Sequence, residues 1–540
     1  MKSKKYSAII IFFIIIQGII LINFFFCHHF DHAMFESDAA SEVVLAESLA
    51  EEGSLALCNN WYYSTEVRIV YDHLIMAPLY KLTGSYLTTF AVTNIIIMIL
   101  MFAAVMFCLT GLGMSVNGSM LGGLLMLIPY GSYRRYSPFA VFLGDCYYSF
   151  HLILSFLLLG LYFRWKKSEN SKIIKWLNPI IIFVVAIGMG LSGLRYAMVL
   201  LLPLMIYEVM NFFIGNEQNL WKESCKAGGN IKKVIISLLP YAGYFIGFVI
   251  SKKWISPAYG GKNFTQSAIA SIGDLREQFL QVLLGFFQMF GFSMDHGKLL
   301  SVIGLFSLVC LGYLVLVIAL LVDSLKQTDK ILKDYALFSL IQFITDILLL
   351  MFIYNQDLGA TIRYFWAGAF LLFLLPAVWL ERRSGIKKRF VVLIAIGCLA
   401  VFMANNANLV MSYNINNRFV QSYGQSAIKN YYRNATPAER EGYISFLEEN
   451  GLFYGYSTFW NANITTVLTE NKVIIVGVNN DQWYSTFEWL TKKSYTDREN
   501  FPPQFYLLTG DEEATRLQNG WEMFGTEAYR DNKFVIYVSE

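Results

Sequence analysis

Charge is scarce in this sequence of 540 residues, since only 15% of them are Asp, Glu, Lys or Arg, against roughly 25% in an ordinary soluble domain. This scarcity excludes a soluble enzyme. The net charge is only +3, and no concentrated basic face of the kind that nucleic-acid binding requires is present, so we expect no nucleic-acid partner. The seven cysteines form no paired CxxC motif, which argues against a zinc ribbon or a redox site.

Apolar residues are abundant instead, at 56% of the chain. The last 133 residues hold 27 of the charged side chains and carry a net charge of −5, whereas residues 1–407 carry +8. A bilayer core of about 30 Å needs around 20 mostly apolar residues as a helix, because no backbone polar group goes unpaired in lipid. About eleven such runs occur, near residues 6–26, 87–113, 118–133, 139–163, 174–191, 195–213, 233–251, 299–323, 334–354, 361–380 and 389–407. We therefore predict a polytopic α-helical membrane domain over residues 1–407, followed by a small α/β domain over residues 408–540.

The distribution of Lys and Arg predicts how the chain is oriented in the membrane. Met1-Lys-Ser-Lys-Lys5 precedes the first run and no small-residue cleavage site follows it, so we interpret this run as an anchor. With the N-terminus in the cytoplasm, the inner segments hold 20 basic residues and the outer segments before the tail hold 11, as the positive-inside rule favours. An odd number of crossings then places the tail outside the plasma membrane. All six histidines fall on or near that outer face, where we expect the chemistry.

Two outer loops are too long to be simple turns, at residues 27–86 and 252–298. The second loop contains an amphipathic stretch from Ile269 to Phe290. Cys27 and Cys58 share the first loop, and in an oxidising compartment a disulfide could join them. Two buried thiols are the alternative, and both interpretations stay open.

The tail has the pattern of an α/β domain. Thr436-Pro-Ala-Glu439 predicts the start of a helix, and Gly451 predicts its end. Strands are expected at Val473–Val476 and Phe534–Tyr537, where β-branched and aromatic residues cluster.

Acidic residues in the first outer loop are the first candidates for chemistry. Asp38 and Glu42 are four residues apart, so on a helix they share one face while Val44 turns inward. A solvated acidic face is the alternative interpretation. Because these carboxylates follow the first span directly, they lie near the membrane surface, where a lipid-borne substrate presents its head group.

Asp145 and His151 form the second candidate, at the outer end of the fourth apolar run. Ionisable groups in apolar surroundings are costly and by default indicate function, although a helix cap facing the interface is the equally weighted alternative. Arg195 and the Arg363-Tyr364 pair form the third candidate, because a guanidinium fork suits phosphate oxygens and snorkelling to lipid head groups is its alternative. Asp346, inside the ninth run, is expected to pair with a polar group on another helix.

Taken in order, these segments resemble the GT-C superfamily of polyprenyl-phosphate-dependent glycosyltransferases, especially bacterial relatives of the protein O-mannosyltransferases and aminoarabinose transferases. The loop with Asp38, followed by Ala46-Glu-Ser-Leu-Ala50 and Gly53, looks like the loop that carries the general-base aspartate of that family. The Pro138–His151 stretch looks like the second acidic position of the family, which falls here on Asp145.

Two further segments extend the resemblance. Arg363-Tyr364 looks like the pair that opens a late span in the family, and Tyr454–Trp460 is similar to a segment of its periplasmic domains. One departure is that many relatives carry Asp-Glu in the first loop, whereas this chain has Asp38-Ala39.

The resemblance implies an integral membrane glycosyltransferase that moves a sugar from a polyprenyl-phosphate donor to an extracytoplasmic acceptor, which is a glycan, a lipid or a protein. It implies an inverting route with Asp38 as general base, Asp145 as a further catalytic carboxylate, and Arg363 and Tyr364 as ligands of the donor phosphate. The residue pattern adds Glu42 as a catalytic carboxylate and Arg195 as a phosphate ligand. A divalent cation, Mg²⁺ or Mn²⁺, is left open, with Asp38, Asp145 and His151 as its ligands.

Two other classes of membrane protein remain as alternatives. A transporter or flippase would be expected to show repeat-related halves with broken helices, and we see no matching halves. A polysaccharide polymerase or ligase would need its catalytic residues in a late outer loop, whereas the acids here concentrate in the first.

Overall fold

The computed structural model describes residues 2–28, 37–64, 66–131, 137–144, 146–167, 172–214, 231–260, 268–292, 300–354, 366–385, 387–412, 437–497, 499 and 502–539. Three residues of the predicted site, Asp145, Arg363 and Tyr364, lie outside these ranges. The other predicted site residues, Asp38, Glu42, His151 and Arg195, lie inside them.

Helices dominate the described part of the chain up to residue 412, and strands with short helices make up the part after it. The α-helices are, in chain order, α1 (Lys2–Asn23), α2 (Ser37–Glu52), α3 (His73–Thr83), α4 (Tyr86–Leu112), α5 (Val116–Met126), α6 (Ser149–Lys167), α7 (Lys172–Leu191), α8 (Leu202–Ile214), α9 (Ile231–Ile250), α10 (Ser256–Tyr259), α11 (Leu275–Met289), α12 (Val302–Leu325), α13 (Lys330–Phe352), α14 (Trp366–Arg382), α15 (Lys388–Ser412), α16 (Pro437–Glu449), α17 (Ala462–Leu468) and α18 (Gly510–Gln518). Short π-helical segments lie at Phe24–His28, Ala140–Gly144, Ala197–Leu201 and Ser251–Ile255, and a 3-10 helix lies at Lys493–Thr496. The strands are β1 (Trp61–Tyr62), β2 (Ala268–Ile269), β3 (Ile353–Tyr354), β4 (Tyr454–Ser457), β5 (Ile474–Gly477), β6 (Thr491–Lys492), β7 (Phe505–Thr509), β8 (Thr526–Arg530) and β9 (Phe534–Val538).

A helix lies in each of the eleven predicted apolar runs, namely α1, α4 to α9 and α12 to α15. Among the described residues, the segments that are long and apolar enough to cross a bilayer are Ser7–Phe26, Tyr86–Leu112, Gly304–Leu325, Lys330–Phe352 and Lys388–Val410. On α1 the side chains of Phe12, Ile15 and Ile19 are exposed at helical spacing, as expected for a helix that contacts lipid. The prediction of a polytopic α-helical membrane protein is confirmed.

Asp346 ties two of these helices together. Gln342 donates a hydrogen bond of 3.1 Å to its Oδ1 from one turn earlier on α13, and the backbone N–H of Gly368 on α14 donates one of 2.9 Å to its Oδ2. Both carboxylate oxygens are therefore satisfied within the protein, and the expected structural pairing of Asp346 is confirmed.

The predicted amphipathic stretch of the second outer loop forms α11. Its buried side chains recur at helical spacing, at Gln278, Val282, Phe286 and Met289, whereas Leu280 on the opposite side is exposed. The stretch is therefore helical from Leu275 to Met289 with one buried face, and its exposed face carries Leu280 and Leu284 as well as polar residues.

The tail folds around a five-stranded sheet with the order β5-β4-β7-β9-β8. β4 runs parallel to both β5 and β7, and β9 runs antiparallel to β7 and β8. The helix predicted after Thr436 is α16, and the two predicted strands are β5 and β9. These local predictions are confirmed.

The two faces of the sheet pack against different partners. Phe505 and Leu507 of β7 point to one side, where they join Tyr443 of α16 in a small core. Tyr506 and Leu508 point to the other side, where they join a core that includes Val43 of α2. The first outer loop and the tail therefore share one apolar core, and β1 of the loop pairs with β6 of the tail.

Cys58 is a free thiol in the first outer loop. Its S–H donates a hydrogen bond of 3.2 Å to Oε1 of Glu52, and burial together with this hydrogen bond raises the pKa of the thiol to about 12. The alternative of a disulfide to Cys58 is wrong, and the buried thiol is the correct one of the two interpretations. The side chain of Cys27 lies outside the described residues.

Candidate active site

α2 carries the predicted base and is almost entirely buried. Every residue from Ala39 to Leu49 is buried, whereas Asp38 in the first turn is half-buried. Alanine, valine and leucine favour a helix that packs on all sides, and here the tail sheet covers it. Ala39 is fully buried in the core shared with the sheet, so a small residue fits this position. Asp38 therefore lies at the N-terminal end of the buried helix, where the surrounding protein no longer covers the helix completely.

Two hydrogen bonds from the tail fix the start of α2. The Ser37 hydroxyl donates to the backbone carbonyl of Trp460 at 2.7 Å. The Asn463 amide donates to the Ser41 hydroxyl at 2.8 Å. Both contacts flank Asp38 in the sequence, so the tail holds the helix turn that presents this carboxylate.

Glu42 lies one turn beyond Asp38 and is only 6% exposed. Burial raises the pKa of Glu42 to about 7; Arg68 opposes this rise in pKa, and the charge of Asp38 adds to it. Asp38 and Glu42 are thus close enough to interact, as their predicted spacing requires. The alternative of a solvated acidic face is wrong for Glu42 and for Glu47, which is 4% exposed.

Arg68 is a buried cation at the centre of the site. Its Nη1 donates a hydrogen bond of 2.6 Å to the hydroxyl of Tyr71 and lies 3.9 Å from Oε1 of Glu42. The guanidinium carbon lies 4.2 Å from the ring centre of Tyr147 and 5.6 Å from that of Tyr148. Aromatic rings and a carboxylate therefore surround the charge and compensate its burial.

Arg68 connects the first outer loop with the segment around Asp145, the second predicted candidate. The two rings that it contacts there, Tyr147 and Tyr148, follow Asp145 by two and three residues. A hydrogen bond of 2.9 Å from the Asn94 amide of α4 to the carbonyl of Gly144 holds the chain just before Asp145. The Cys146 thiol just after it donates to Asn94 at 2.7 Å. Gly144 and Cys146 are thus held by α4, and Tyr147 lies beside Arg68 of the first outer loop, whereas Asp145 itself is outside the described residues.

Arg195 borders the same cluster. Its guanidinium carbon lies 4.5 Å from the ring centre of Tyr148, and its Nη2 lies 3.5 Å from Oε2 of Glu66. Gly193 makes room for this pair: it has φ of 120°, and a Cβ there would lie 3.1 Å from the Glu66 carboxyl group. The interruption that the sequence shows after α7 is therefore the turn that places Arg195 at the site.

His151, near the start of α6, approaches the cluster from another side. Its ring stacks on Tyr196 with the ring centres 4.7 Å apart, and the Tyr71 ring lies 6.0 Å away. The structure thus brings Asp38, Glu42, Arg195 and His151 around one group of aromatic side chains. Their roles remain predictions.

Sequence reasoning missed Arg68 and Asp72 and counted His73 only among the outer histidines. Arg68 and Tyr71 lie three residues apart in an otherwise apolar stretch, and Asp72-His73 follows at once. This concentration of polar groups is the signal that could have identified them.

Three side chains of the site, those of Glu42, Asp72 and His73, could hold a metal ion. Ligand atoms of Glu42, Asp72 and His73 all lie within 4.8 Å of one another, and all three residues are buried. Among the described residues, neither Asp38 nor His151 belongs to a group of three His, Cys, Asp or Glu side chains with this spacing.

The spanning helices, the acidic first outer loop and the sheet that covers it define a polytopic membrane fold. The crystal structure of ArnT from Cupriavidus metallidurans in the apo state is similar to this chain, with a TM-score of 0.56 and 10% identity over 99% of this chain and 98% of that one. The same protein bound to undecaprenyl phosphate has a TM-score of 0.50 and 12% identity over 98% of both chains. An oligosaccharyltransferase of Archaeoglobus fulgidus, tethered with an acceptor peptide, has a TM-score of 0.49 and 11% identity over 98% of this chain and 74% of that one.

At these identities the likeness shows the fold alone. No protein-family model and no curated relative matches the sequence.

Proposed function

We propose that this chain is a membrane glycosyltransferase that moves a sugar from a polyprenyl-phosphate donor to an extracytoplasmic glycan, lipid or protein. One observation carries the proposal: Asp38 lies half-buried at the end of a buried helix, where its charge acts on Glu42 and Tyr147, in the cluster that contains Arg68 and is bordered by Arg195. This arrangement occurs in a chain with the fold of ArnT, a protein that has been solved with undecaprenyl phosphate.

In the proposed reaction Asp38 acts as general base. Its carboxylate takes the proton of the acceptor hydroxyl while the acceptor oxygen attacks the anomeric carbon of the sugar. The bond from that carbon to the phosphate oxygen breaks, and the polyprenyl phosphate leaves with the bonding electron pair. A single displacement inverts the anomeric centre and needs one base, so no covalent intermediate on the protein is required.

Arg195 is the described residue best suited to the leaving phosphate. Its side chain is 22% exposed, so it is accessible, and its partner Glu66 can be exchanged for a phosphate group. A guanidinium fork binds two phosphate oxygens at once and stabilises the charge that develops there. Arg363 and Tyr364 are proposed as further phosphate ligands on the resemblance alone.

Arg68 and Glu42 are assigned a supporting role. Arg68 is 7% exposed and enclosed by tyrosine rings, so it positions Glu42 and the segment after Asp145 and does not itself contact the donor. Asp145 is kept as a second catalytic carboxylate. A cation held by Asp38, Asp145 and His151 would supply charge stabilisation at the phosphate, and no step is assigned to it.

The test is Asp38→Asn, which retains the size of the side chain and removes its charge. With purified protein and a polyprenyl-phosphate sugar, we expect turnover to fall by about 100-fold or more while donor binding persists, because a proton acceptor acts mainly in the transition state. Asp511→Asn is the matched control, since Asp511 is also a first-turn helix aspartate but is exposed on α18.

Because the sugar and acceptor are open, the same variants are compared in cells. In a deletion strain, mass spectrometry should show accumulated lipid-linked sugar and undecorated surface glycan, reversed by the wild-type gene and by Asp511→Asn but not by Asp38→Asn. A folded, donor-binding Asp38→Asn protein that restores the glycan fully would contradict the assignment and make Asp145 the leading carboxylate. A deletion that changes only the sidedness of the lipid would instead indicate a flippase.

A further inference from the structure

Three buried side chains meet where α2 crosses the start of α3. Glu42 comes from the second turn of α2, and Asp72 and His73 come from the N-terminus of α3. They are 6%, 0% and 1% exposed, and ligand atoms of the three lie within 4.8 Å of one another. Among the described residues, no other three Asp, Glu, His or Cys side chains come together in this way.

Each of the three side chains leaves one buried atom without a hydrogen-bond partner: Oε2 of Glu42, Oδ2 of Asp72 and Nε2 of His73. Buried polar atoms are normally paired, so three unpaired ones in one place call for a ligand. The atoms are of two kinds, carboxylate oxygen and imidazole nitrogen, and none of the three is a donor when the acids are ionised.

The other carboxylate oxygens of Asp72 and Glu42 have partners, and these contacts fix the orientation of the unpaired oxygens. Oδ1 of Asp72 accepts the backbone N–H of His73 at 3.0 Å, and Oε1 of Glu42 faces Arg68 at 3.9 Å. Nε2 of His73 has no partner, so its lone pair is available in the tautomer that is protonated on Nδ1.

A histidine binds a metal ion through a ring nitrogen with a free lone pair, and Nε2 of His73 is such an atom. The neutral imidazole is the form of histidine that binds a metal ion. The carboxyl groups of Glu42 and Asp72 share this buried site with a single guanidinium, that of Arg68. A divalent cation would supply the missing positive charge.

We propose that Glu42, Asp72 and His73 bind a divalent transition-metal ion, for which Zn²⁺ is the best chemical fit. Imidazole nitrogen with carboxylate oxygens suits zinc, whereas Mg²⁺ selects oxygen ligands alone. Tetrahedral zinc, with bonds of about 2.0 to 2.2 Å, needs its ligand atoms about 3.4 Å apart, so small side-chain rotations close the site. A water molecule would complete the four ligands.

The ion would link α2 to the start of α3 and so fix the helix that presents Asp38. It differs from the cation predicted from the sequence, whose ligands would be Asp38, Asp145 and His151. The proposed zinc site depends on the three side chains alone and not on the sugar-transfer reaction. The zinc content of the protein is therefore the measurement that tests it.

The experiment uses the full-length protein in detergent with its affinity tag removed. The protein is stripped with a chelator, saturated with Zn²⁺ in the presence of excess Mg²⁺, desalted and analysed by elemental mass spectrometry. We expect about one zinc ion per chain in the wild type. We expect His73→Gln, Asp72→Asn and Glu42→Gln each to weaken zinc binding by at least about 10-fold.

His151→Gln and Asp38→Asn are the controls, because they remove a histidine and a carboxylate of the same region that lie outside the proposed ligand set. Both should retain zinc. Size-exclusion profiles show which variants are folded, and Asp72→Asn preserves helix capping, so at least one ligand variant should be interpretable.

A wild-type protein that retains no zinc, or a His73→Gln variant that retains as much as the wild type, would overturn the proposal. Loss of zinc in His151→Gln with retention in His73→Gln would do the same. The outcome is separate from the proposed function: Asp38→Asn that binds zinc but transfers no sugar supports both, and absence of zinc with loss of transfer in Asp38→Asn removes only the metal site.

Discussion

Arg68 is the side chain on which the elements of the candidate active site converge. It contacts the first loop through Tyr71 and Glu42, and the segment after Asp145 through Tyr147. A planar guanidinium can stack on a ring and donate in its plane at the same time, whereas a lysine ammonium is a compact point charge. The shape of the cation, and not its charge alone, is therefore what holds these segments together.

Replacing Arg68 with lysine should separate shape from charge. We expect Arg68→Lys to reduce transfer by about 10-fold or more, and to destabilise the protein by about 1 to 3 kcal/mol through the lost hydrogen bond and ring stacking. Turnover and thermal unfolding in detergent measure the two effects. Arg276→Lys, at an exposed position on α11, is the control, and wild-type behaviour of Arg68→Lys would mean that the charge alone is sufficient.

For individual residues, the sequence predicts only those positions that follow from the periodicity of a single helix or strand. The shared helix of Asp38 and Glu42 follows from their spacing of four residues, and the structure confirms that helix. The positions of Arg68 and Asp72 do not follow, because the chain before α3 has no regular period and takes its course from distant contacts. One of these is the hydrogen bond of 3.1 Å from the N–H of Val70 to Ser192, which is 122 residues away.

At the scale of elements, α2 depends on the tail for a buried ion pair. Nζ of Lys492 on β6 lies 3.3 Å from Oε2 of Glu47, and the two side chains are 7% and 5% exposed. Lys492 also reaches Glu51, at 2.7 Å, which is half exposed. Breaking a buried pair leaves one charge without compensation, which costs more than the pair itself contributes.

Lys492→Met should therefore destabilise the protein by about 3 to 5 kcal/mol, since Glu47 is left buried and charged. The double variant Lys492→Met with Glu47→Gln should recover much of that loss because no uncompensated charge remains. Thermal unfolding of Lys492→Met, Glu47→Gln and the double variant gives the coupling free energy between Lys492 and Glu47 directly. Additive losses would show that water or the Asn471 amide, which donates a hydrogen bond of 3.2 Å to Glu47, already compensates Glu47, contrary to the buried geometry.

The elements themselves were largely predictable, but their pairings were not. The amphipathic period predicts α11, and the clusters of β-branched and aromatic residues predict β5 and β9. β1 and β6 are two residues each and pair across more than 400 positions, so neither has a local signal. The Glu470 carboxylate likewise accepts N–H groups of Tyr86 and Leu87 at the start of α4, a cap supplied from the tail that sequence capping rules do not find.

At the scale of the whole molecule, these contacts constrain the path of the chain through the membrane. The first outer loop and the tail share a core, a strand pair and a buried ion pair, so they lie on the same side of the bilayer. The number of crossings between them must then be even. Ten of the predicted apolar runs lie between residue 86 and the tail, which satisfies this condition.

The requirement for an even number of crossings is most informative for the third apolar run, residues 118–133. Its helix, α5, has 11 residues and at 1.5 Å per residue is only about 17 Å long, short of a bilayer core of about 30 Å. If α5 did not cross, nine crossings would put the first loop and the tail on opposite sides, which their contacts exclude. Residues after Met126 therefore have to complete that crossing, or a second run has to remain on one side as well.

Labelling of single cysteines tests both the parity and the orientation. In a chain without its native cysteines, Leu55→Cys in the first loop and Gln518→Cys on α18 are exposed and should react with a membrane-impermeant maleimide in intact cells. Ser384→Cys, exposed between α14 and α15 in the basic segment predicted to be cytoplasmic, should react only after permeabilisation. Different accessibility of Leu55→Cys and Gln518→Cys would contradict the shared core. If both reacted only after permeabilisation, the core would stand and the orientation predicted from Lys and Arg would be reversed.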